Sequence, residues 1–146
     1  ILNERLIMID YSNAQAWNNK GNALRNLGRY DEAIKAFDVS IEFDSSFAAT
    51  WYNKGVALHD LKRYDEAIVC YNKAISLEPL FMKTWYAKGL ALALLAKHEE
   101  AIKAFDSAIQ INPRSAKVWK AKGFSLKALG HVFEADVAFA MANGLD

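Results

Sequence analysis

The side chains that most often carry out chemistry are few and scattered in this chain. The three histidines, His59, His98 and His131, show no spacing with each other or with Cys70 that is typical of a zinc site. A single cysteine cannot form an intramolecular disulfide framework, and it suits a reducing compartment. We expect Cys70 and His98 to be packing residues, because their positions match Ala or Tyr elsewhere in the repeating pattern described below.

The other candidates for an active site also have simpler explanations. The paired carboxylates Glu99 and Glu100 stand where a helix is expected to begin, and acids there favour the positive end of the helix dipole. The glycines are isolated and do not form a phosphate-binding loop. We therefore expect no enzyme activity, no metal site and no cofactor.

Composition narrows the class of protein and of partner. The 146 residues contain 18 Lys and Arg against 17 Asp and Glu, so the net charge is close to zero. A charge this small gives the whole molecule no attraction for nucleic acid or anionic lipid. No apolar run approaches the roughly 18 residues that span a membrane. These features predict a cytoplasmic protein with no membrane or nucleic-acid partner.

The tryptophans reveal an internal repeat. Trp17, Trp51, Trp85 and Trp119 follow one another at intervals of 34 residues. Other residues share this period, namely Gly21, Gly55, Gly89 and Gly123; Ala33, Ala67, Ala101 and Ala135; Phe37, Tyr71, Phe105 and Phe139; and Pro79 and Pro113. Numbered from Ala14, Ala48, Met82 and Ala116, each repeat has Trp at position 4, Gly at 8, Ala at 20, an aromatic at 24 and, in two copies, Pro at 32.

Each repeat predicts two helices, at about positions 1–14 and 18–31. Apolar residues within a repeat have helical spacing, as in Tyr64, Ala67, Ile68, Tyr71, Ala74 and Ile75. Glycine inside a helix costs about 1 kcal/mol relative to alanine, so four in one phase need a common cause. We expect Gly at position 8 to face the small Ala at position 20, with the Trp and the second aromatic packed beside that contact.

This pattern of W-x3-G-x2-L, then A-x3-F/Y, then P resembles the tetratricopeptide repeat from Ala14 to Asp146, with Ser45 in place of the first proline. The resemblance implies an all-α, right-handed superhelix of antiparallel helix pairs, whose first helices line a concave groove. It also implies a non-enzymatic scaffold for a peptide or partner protein. The repeats fall at 14–47, 48–81, 82–115 and 116–146, and residues 1–13 resemble the second helix of a preceding repeat.

The two ends of the array differ. Earlier repeats have Ile at positions 21 and 28, as in Ile102 and Ile109, where packing on the next repeat is expected. In the last repeat these positions are Asp136 and Asn143, which predicts a terminal cap. Because residues 1–13 lack a partner helix, we expect the chain to be part of a longer array.

Positions that vary between repeats predict the binding groove. The resemblance implies that positions 2, 5, 6, 9, 12 and 13 of the first helices face it. Its polar half contains Asn18, Asn19, Asn22 and Asn53, whose amides could each donate to and accept from a peptide backbone. Asn19 and Asn53 resemble the asparagine ladder of some family members, and a plain solvated face explains the same residues equally well.

The remaining groove positions are aromatic, apolar and basic. They are Tyr52, Val56, Lys83, Tyr86, Leu90, Leu94, Lys120 and Phe124. An exposed apolar patch flanked by lysines predicts a partner with apolar anchors and acidic groups. The alternative is that these lysines are ordinary solvent-exposed residues of a helix. The family's clamp for a C-terminal carboxylate is matched at Asn22, Asn53 and Lys83, whereas Asn18 and Ala87 replace two of its cations, so we expect that clamp not to operate.

The last helix has an apolar stripe where earlier repeats are polar, at Phe133, Val137, Ala140 and Met141. We expect this stripe to contact a second copy, a partner or further chain, unless the helix turns it inward. A self-assembling homo-oligomer is therefore the alternative to hetero-partner binding. A helical-repeat RNA-binding protein is a weaker alternative, because the first two repeats lack a basic groove.

Overall fold

The computed structural model describes residues 2–145. Ile1, the first residue of the predicted segment 1–13, and Asp146, the last residue of the predicted fourth repeat, lie outside the described residues. This part of the chain contains eight α-helices and no strand, which confirms the all-α class and the paired helices. The helices fall into two compact units, up to Glu78 and from Pro79. The first unit contains α1 (Leu2–Asn26), α2 (Tyr30–Phe43), α3 (Ala48–Asp60) and α4 (Tyr64–Leu77).

The second unit repeats the arrangement of the first. It contains α5 (Met82–Leu94), α6 (His98–Ile111), α7 (Ala116–Ala128) and α8 (Val132–Gly144). Within each unit, consecutive helices pack on each other, and the first helices of neighbouring repeats also touch, α1 against α3 and α5 against α7. The first helices of the two repeats in each unit therefore lie side by side and form one surface, called here the α1/α3 face and the α5/α7 face.

The turn within each repeat needs a left-handed residue at position 15. The backbone φ there is 75° at Gly28, 61° at Lys62, 60° at Ala96 and 80° at Gly130. Glycine adopts this conformation without the steric penalty of a Cβ atom. Two of the four turns therefore carry local strain that the packing of the helix pair must offset.

The glycine at position 8 faces the aromatic residue at position 24, which corrects the expected contact with Ala at position 20. A Cβ atom on Gly55 would lie 2.5 Å from the ring of Tyr71, and one on Gly123 would lie 2.6 Å from the ring of Phe139. From the sequence we expected the ring to pack beside the glycine, whereas it packs directly against it. An aromatic ring needs the space of the missing side chain, whereas alanine would fit without it.

Residues 2–13 continue directly into the first helix of the first repeat, and both belong to α1. That these residues correspond to the second helix of a preceding repeat stays a prediction. No proline or glycine lies between residues 2 and 20, so no strongly helix-breaking residue interrupts the backbone hydrogen bonds there. The absence of proline is not sufficient by itself, because Ser45, like Tyr11, replaces the proline of position 32 and the chain leaves the helix at Ser45.

The repeated tryptophans fix the loops between repeats. Nε1 of Trp51 donates to the carbonyl of Ser45 at 2.9 Å, and the indoles of Trp85 and Trp119 donate in the same way to Pro79 and Pro113 at 2.8 Å. The bond uses the backbone carbonyl of position 32. This explains why serine can replace proline there.

Packing between repeats follows the expectation for position 21 in the second unit. Ile102 packs against the buried cluster of Leu126, Ala135 and Ala138 in the fourth repeat. The corresponding residue of the last repeat, Asp136, is exposed on α8.

Candidate functional site: the first-helix faces

The face shared by α1 and α3 is polar and bonded largely to itself. Nδ2 of Asn53 donates to Oδ1 of Asn18 at 3.1 Å, and Asn18 is only 7% exposed. Asn18 was predicted to line a groove but lies between the two helices. Its amide therefore holds α1 to α3.

The other polar residues of the α1/α3 face also have local surroundings. Exposed Asn19 accepts a hydrogen bond from Gln15 at 3.2 Å. The Oδ1 atom of Asn22 is enclosed and has no hydrogen-bond partner among the described residues. Arg25 lies 4.0 Å from Asp60, which brings opposite charges of the two helices together. This face offers a partner few free charges.

The predicted apolar residues of α3 are half-buried. Tyr52 lies against Tyr71, with ring centroids 6.0 Å apart, and burial raises the pKa of the Tyr52 hydroxyl. Val56 is half-buried one turn further along. These side chains belong partly to the core of the unit.

The face shared by α5 and α7 is apolar and more open. Tyr86, Leu90 and Leu94 follow one another at helical spacing on α5; the first two are half-buried, and Leu94 is 57% exposed. On α7, Phe124 is also 57% exposed and rests edge-on against Phe139, with 5.1 Å between ring centroids. Ala87, which replaces a cation of the family's carboxylate clamp, is buried.

Lysines surround this apolar row. Nζ of Lys117 lies 5.0 Å from the centre of the Tyr86 ring, so a cation of α7 covers an aromatic residue of α5. Lys83, Lys120 and Lys127 are exposed. The contact between Lys117 and Tyr86 has no signal in the sequence, because it depends on how the two helices lie together.

The apolar stripe of α8 is on the outside of the second unit. Phe133 is 81% exposed, and Val137, Ala140 and Met141 are exposed with it. The alternative that the helix turns the stripe inward does not hold for the described chain.

The side chains that could carry out chemistry are not assembled into a catalytic group in the described part of the chain. Nδ1 of His98 lies 3.3 Å from Oγ of Ser125, and burial raises the pKa of the Cys70 thiol. Among residues 2–145, no group of His, Cys, Asp and Glu side chains is placed to hold a metal ion. None of the helices in the same range has both the length and the apolar character to cross a membrane.

The paired helices, the repeated glycine–aromatic contact and the open first-helix faces define a helical-repeat scaffold. The tetratricopeptide repeat model matches residues 14–47, 48–80 and 83–115, and the chain belongs to this family. Its role is that of a protein-interaction scaffold. The fourth helix pair, beyond the matched residues, has the same contact between Gly123 and Phe139.

Solved structures show the same fold. A crystal structure of MamA superposes with a TM-score of 0.89 and 22% identity, covering 97% of this chain and 83% of the other. MamA from Desulfovibrio magneticus gives a TM-score of 0.86 with 25% identity, covering 90% of this chain and 75% of the other. A comparison with curated protein sequences finds no match.

Proposed function

We propose that the chain binds partner-protein segments on its first-helix faces, with the main anchors on the α5/α7 face. The observation that carries this proposal is the exposure of Leu94 and Phe124, each at 57%, on helices that the family uses for binding. Large apolar side chains left in water on one face favour a contact that removes them from it. Tyr86 and Leu90 extend the same row.

The α1/α3 face has a secondary, polar role in this proposal. Asn53 uses one amide hydrogen on Asn18, and its side chain remains half-exposed. An amide in this position can still donate to a carbonyl of an extended peptide. Asn19 and Asn22 stand nearby on α1, and Lys83 on α5 offers a charge in the second unit.

The test starts from peptides selected from a random display library against the intact chain. Affinity of a selected peptide is then measured by calorimetry for Leu94→Ser, Phe124→Ser and Tyr86→Ala. Interface anchors cost about 1 kcal/mol or more when truncated, so each variant should weaken binding by roughly fivefold or more.

The matched control is Val69→Ser, which removes an apolar residue of comparable exposure, 66%, from α4. Asn53→Ala tests the polar contribution of the first unit separately. If the peptides bind all three face variants as tightly as the natural chain, the α5/α7 face is not the site.

The stripe on α8 supports a second candidate, self-association. Phe133 and Val137 would leave water if two copies met through this helix, at about 25 cal/mol for each Å² buried. Sedimentation across a range of concentrations should show a dimer that Phe133→Glu with Val137→Lys abolishes while the helical content is unchanged. A monomer at every concentration would remove this candidate.

A further inference from the structure

We propose that the segment bound on the α5/α7 face is acidic, with carboxylates on both sides of an apolar anchor. This inference rests on the proposed function and adds the chemistry of the partner. It follows from the way charge is divided between the helices of the second unit.

The first helices of this unit carry only positive charge. There are two lysines on α5 and four on α7, and neither helix contains an Asp or Glu. The acids are on the second helices, at Glu99, Glu100, Asp106, Glu134 and Asp136. The chain as a whole is nearly neutral, with a formal charge of +1, so this division is local rather than a consequence of composition.

Of the six lysines, Lys122 pairs through Nζ with Asp106 on α6 at 2.7 Å, and Lys88 lies over the ring of Trp85 at 5.5 Å. Lys117 also contacts a ring, that of Tyr86 at 5.0 Å, but it has no acidic partner among residues 2–145. Four lysines lie at helical positions that flank the apolar row, and no carboxylate of residues 2–145 pairs with them in the structure. They are Lys83, Lys117, Lys120 and Lys127.

On α7, lysines stand on both sides of the apolar anchor Phe124. Lys120, Phe124 and Lys127 follow one another at steps of one helical turn, with Lys117 one turn earlier. A bound segment that places an apolar side chain near Phe124 therefore has a cation on each side of that anchor. Carboxylates at both flanks would complement this arrangement.

The same features favour an acidic peptide over single-stranded RNA. Stacking of bases needs accessible aromatic faces, whereas Lys117 already covers Tyr86 and the neighbouring anchors Leu90 and Leu94 are aliphatic. Phe124 is the one strongly exposed aromatic of the α5/α7 face in the described chain. A protein segment uses aliphatic and aromatic anchors equally well.

The experiment measures binding of labelled synthetic peptides to the intact chain by fluorescence anisotropy. The main probe has glutamates around a phenylalanine and a leucine, with its C-terminus amidated. Three further probes replace its glutamates by serine, replace them by lysine, or replace its apolar residues by alanine. An oligouridine strand is the nucleic-acid probe.

The glutamate peptide should bind tightest, and added salt should weaken it because exposed charges are screened. Lys120→Glu with Lys127→Glu should weaken it about tenfold, because two exposed attractive charges become repulsive. Lys103→Glu with Lys73→Glu on the second helices makes the same change in net charge and should leave the affinity unchanged.

The outcomes separate this inference from the proposed function. Equal binding of the serine and glutamate peptides, unaffected by the lysine variants, would overturn the acidic partner while the apolar face remained a binding site. Preference for the lysine peptide or for oligouridine, or no binding of the glutamate peptide at millimolar concentration, would also overturn it. Binding of the same glutamate peptide with a free C-terminus, but not of the amidated form, would replace it with capture of a terminal carboxylate.

Discussion

The two first-helix faces use the same scaffold in opposite ways. On the α1/α3 face, polar groups meet each other, as Asn53 does with Asn18 and Arg25 with Asp60. On the α5/α7 face, the lysines that flank the apolar row have no carboxylate partner among residues 2–145, and Leu94 is exposed. In the proposed function, differences at a few variable positions make one face structural and the other a binding surface, while the repeated positions remain constant.

The largest expected effect tests whether both units depend on the same contact between a glycine and an aromatic ring. Gly55→Leu in the first unit and Gly89→Leu in the second should each lower the free energy of unfolding by about 1–3 kcal/mol or more, because the new side chain meets a buried ring. Thermal and urea unfolding measure both. Gly144→Ala, where a Cβ meets open space, is the control. If leucine leaves the stability unchanged in one unit and not in the other, the two units do not depend on the same glycine–aromatic contact.

The next effect tests whether the faces differ. Asn18→Ala should destabilise the chain by about 1–2 kcal/mol, because it removes a buried hydrogen-bond partner of Asn53. Lys120→Ala, on the other face, should change the free energy of unfolding by less than about 0.5 kcal/mol. A double-mutant cycle of Asn18 and Asn53 should give a coupling near 1 kcal/mol. Equal costs at Asn18 and Lys120 would contradict the comparison.

A smaller effect should be the same in both units. Lys62→Gly and Ala96→Gly should each raise the free energy of unfolding by about 0.5–1 kcal/mol, since glycine relieves the positive φ and loses part of that gain through chain entropy. Gly130→Ala should have the opposite sign. Chemical unfolding of the three variants measures these changes, and a destabilised Ala96→Gly would show that the turn is not strained.

The smallest effect is a pH dependence in the first unit. Burial lowers the pKa of His59 in the folded chain, with Asp60 opposing the shift. The unfolded chain, with a histidine pKa of about 6.5, therefore takes up the proton first, and stability is lost as the pH falls below that value. Unfolding measured at about pH 7.5 and about pH 5.5 should show a smaller loss for His59→Gln than for the natural chain. Identical losses would remove His59 as the cause.

The sequence was sufficient for the features that recur and insufficient for those that depend on neighbouring helices. The period of the tryptophans and glycines predicted the helix pairs, since each repeated residue solves the same packing problem. It did not predict that Gly89 faces Phe105 or that Asn18 is buried, because helical spacing defines a face and not what lies against it. The continuity of α1 was not predictable in the same way, because Tyr11 and Ser45 both replace the proline of position 32 and the helix is interrupted only at Ser45.

The indole bonds across the repeat boundaries give the chain a set of internal optical probes. Trp51, Trp85 and Trp119 each report on one loop, through a bond to its carbonyl, whereas Trp17 lies within the continuous α1 and has no such loop. When a boundary opens, its indole exchanges a protein carbonyl for water, and the fluorescence of that tryptophan shifts to longer wavelength. Chains that keep one tryptophan and replace the others by phenylalanine would therefore show in which order the boundaries open.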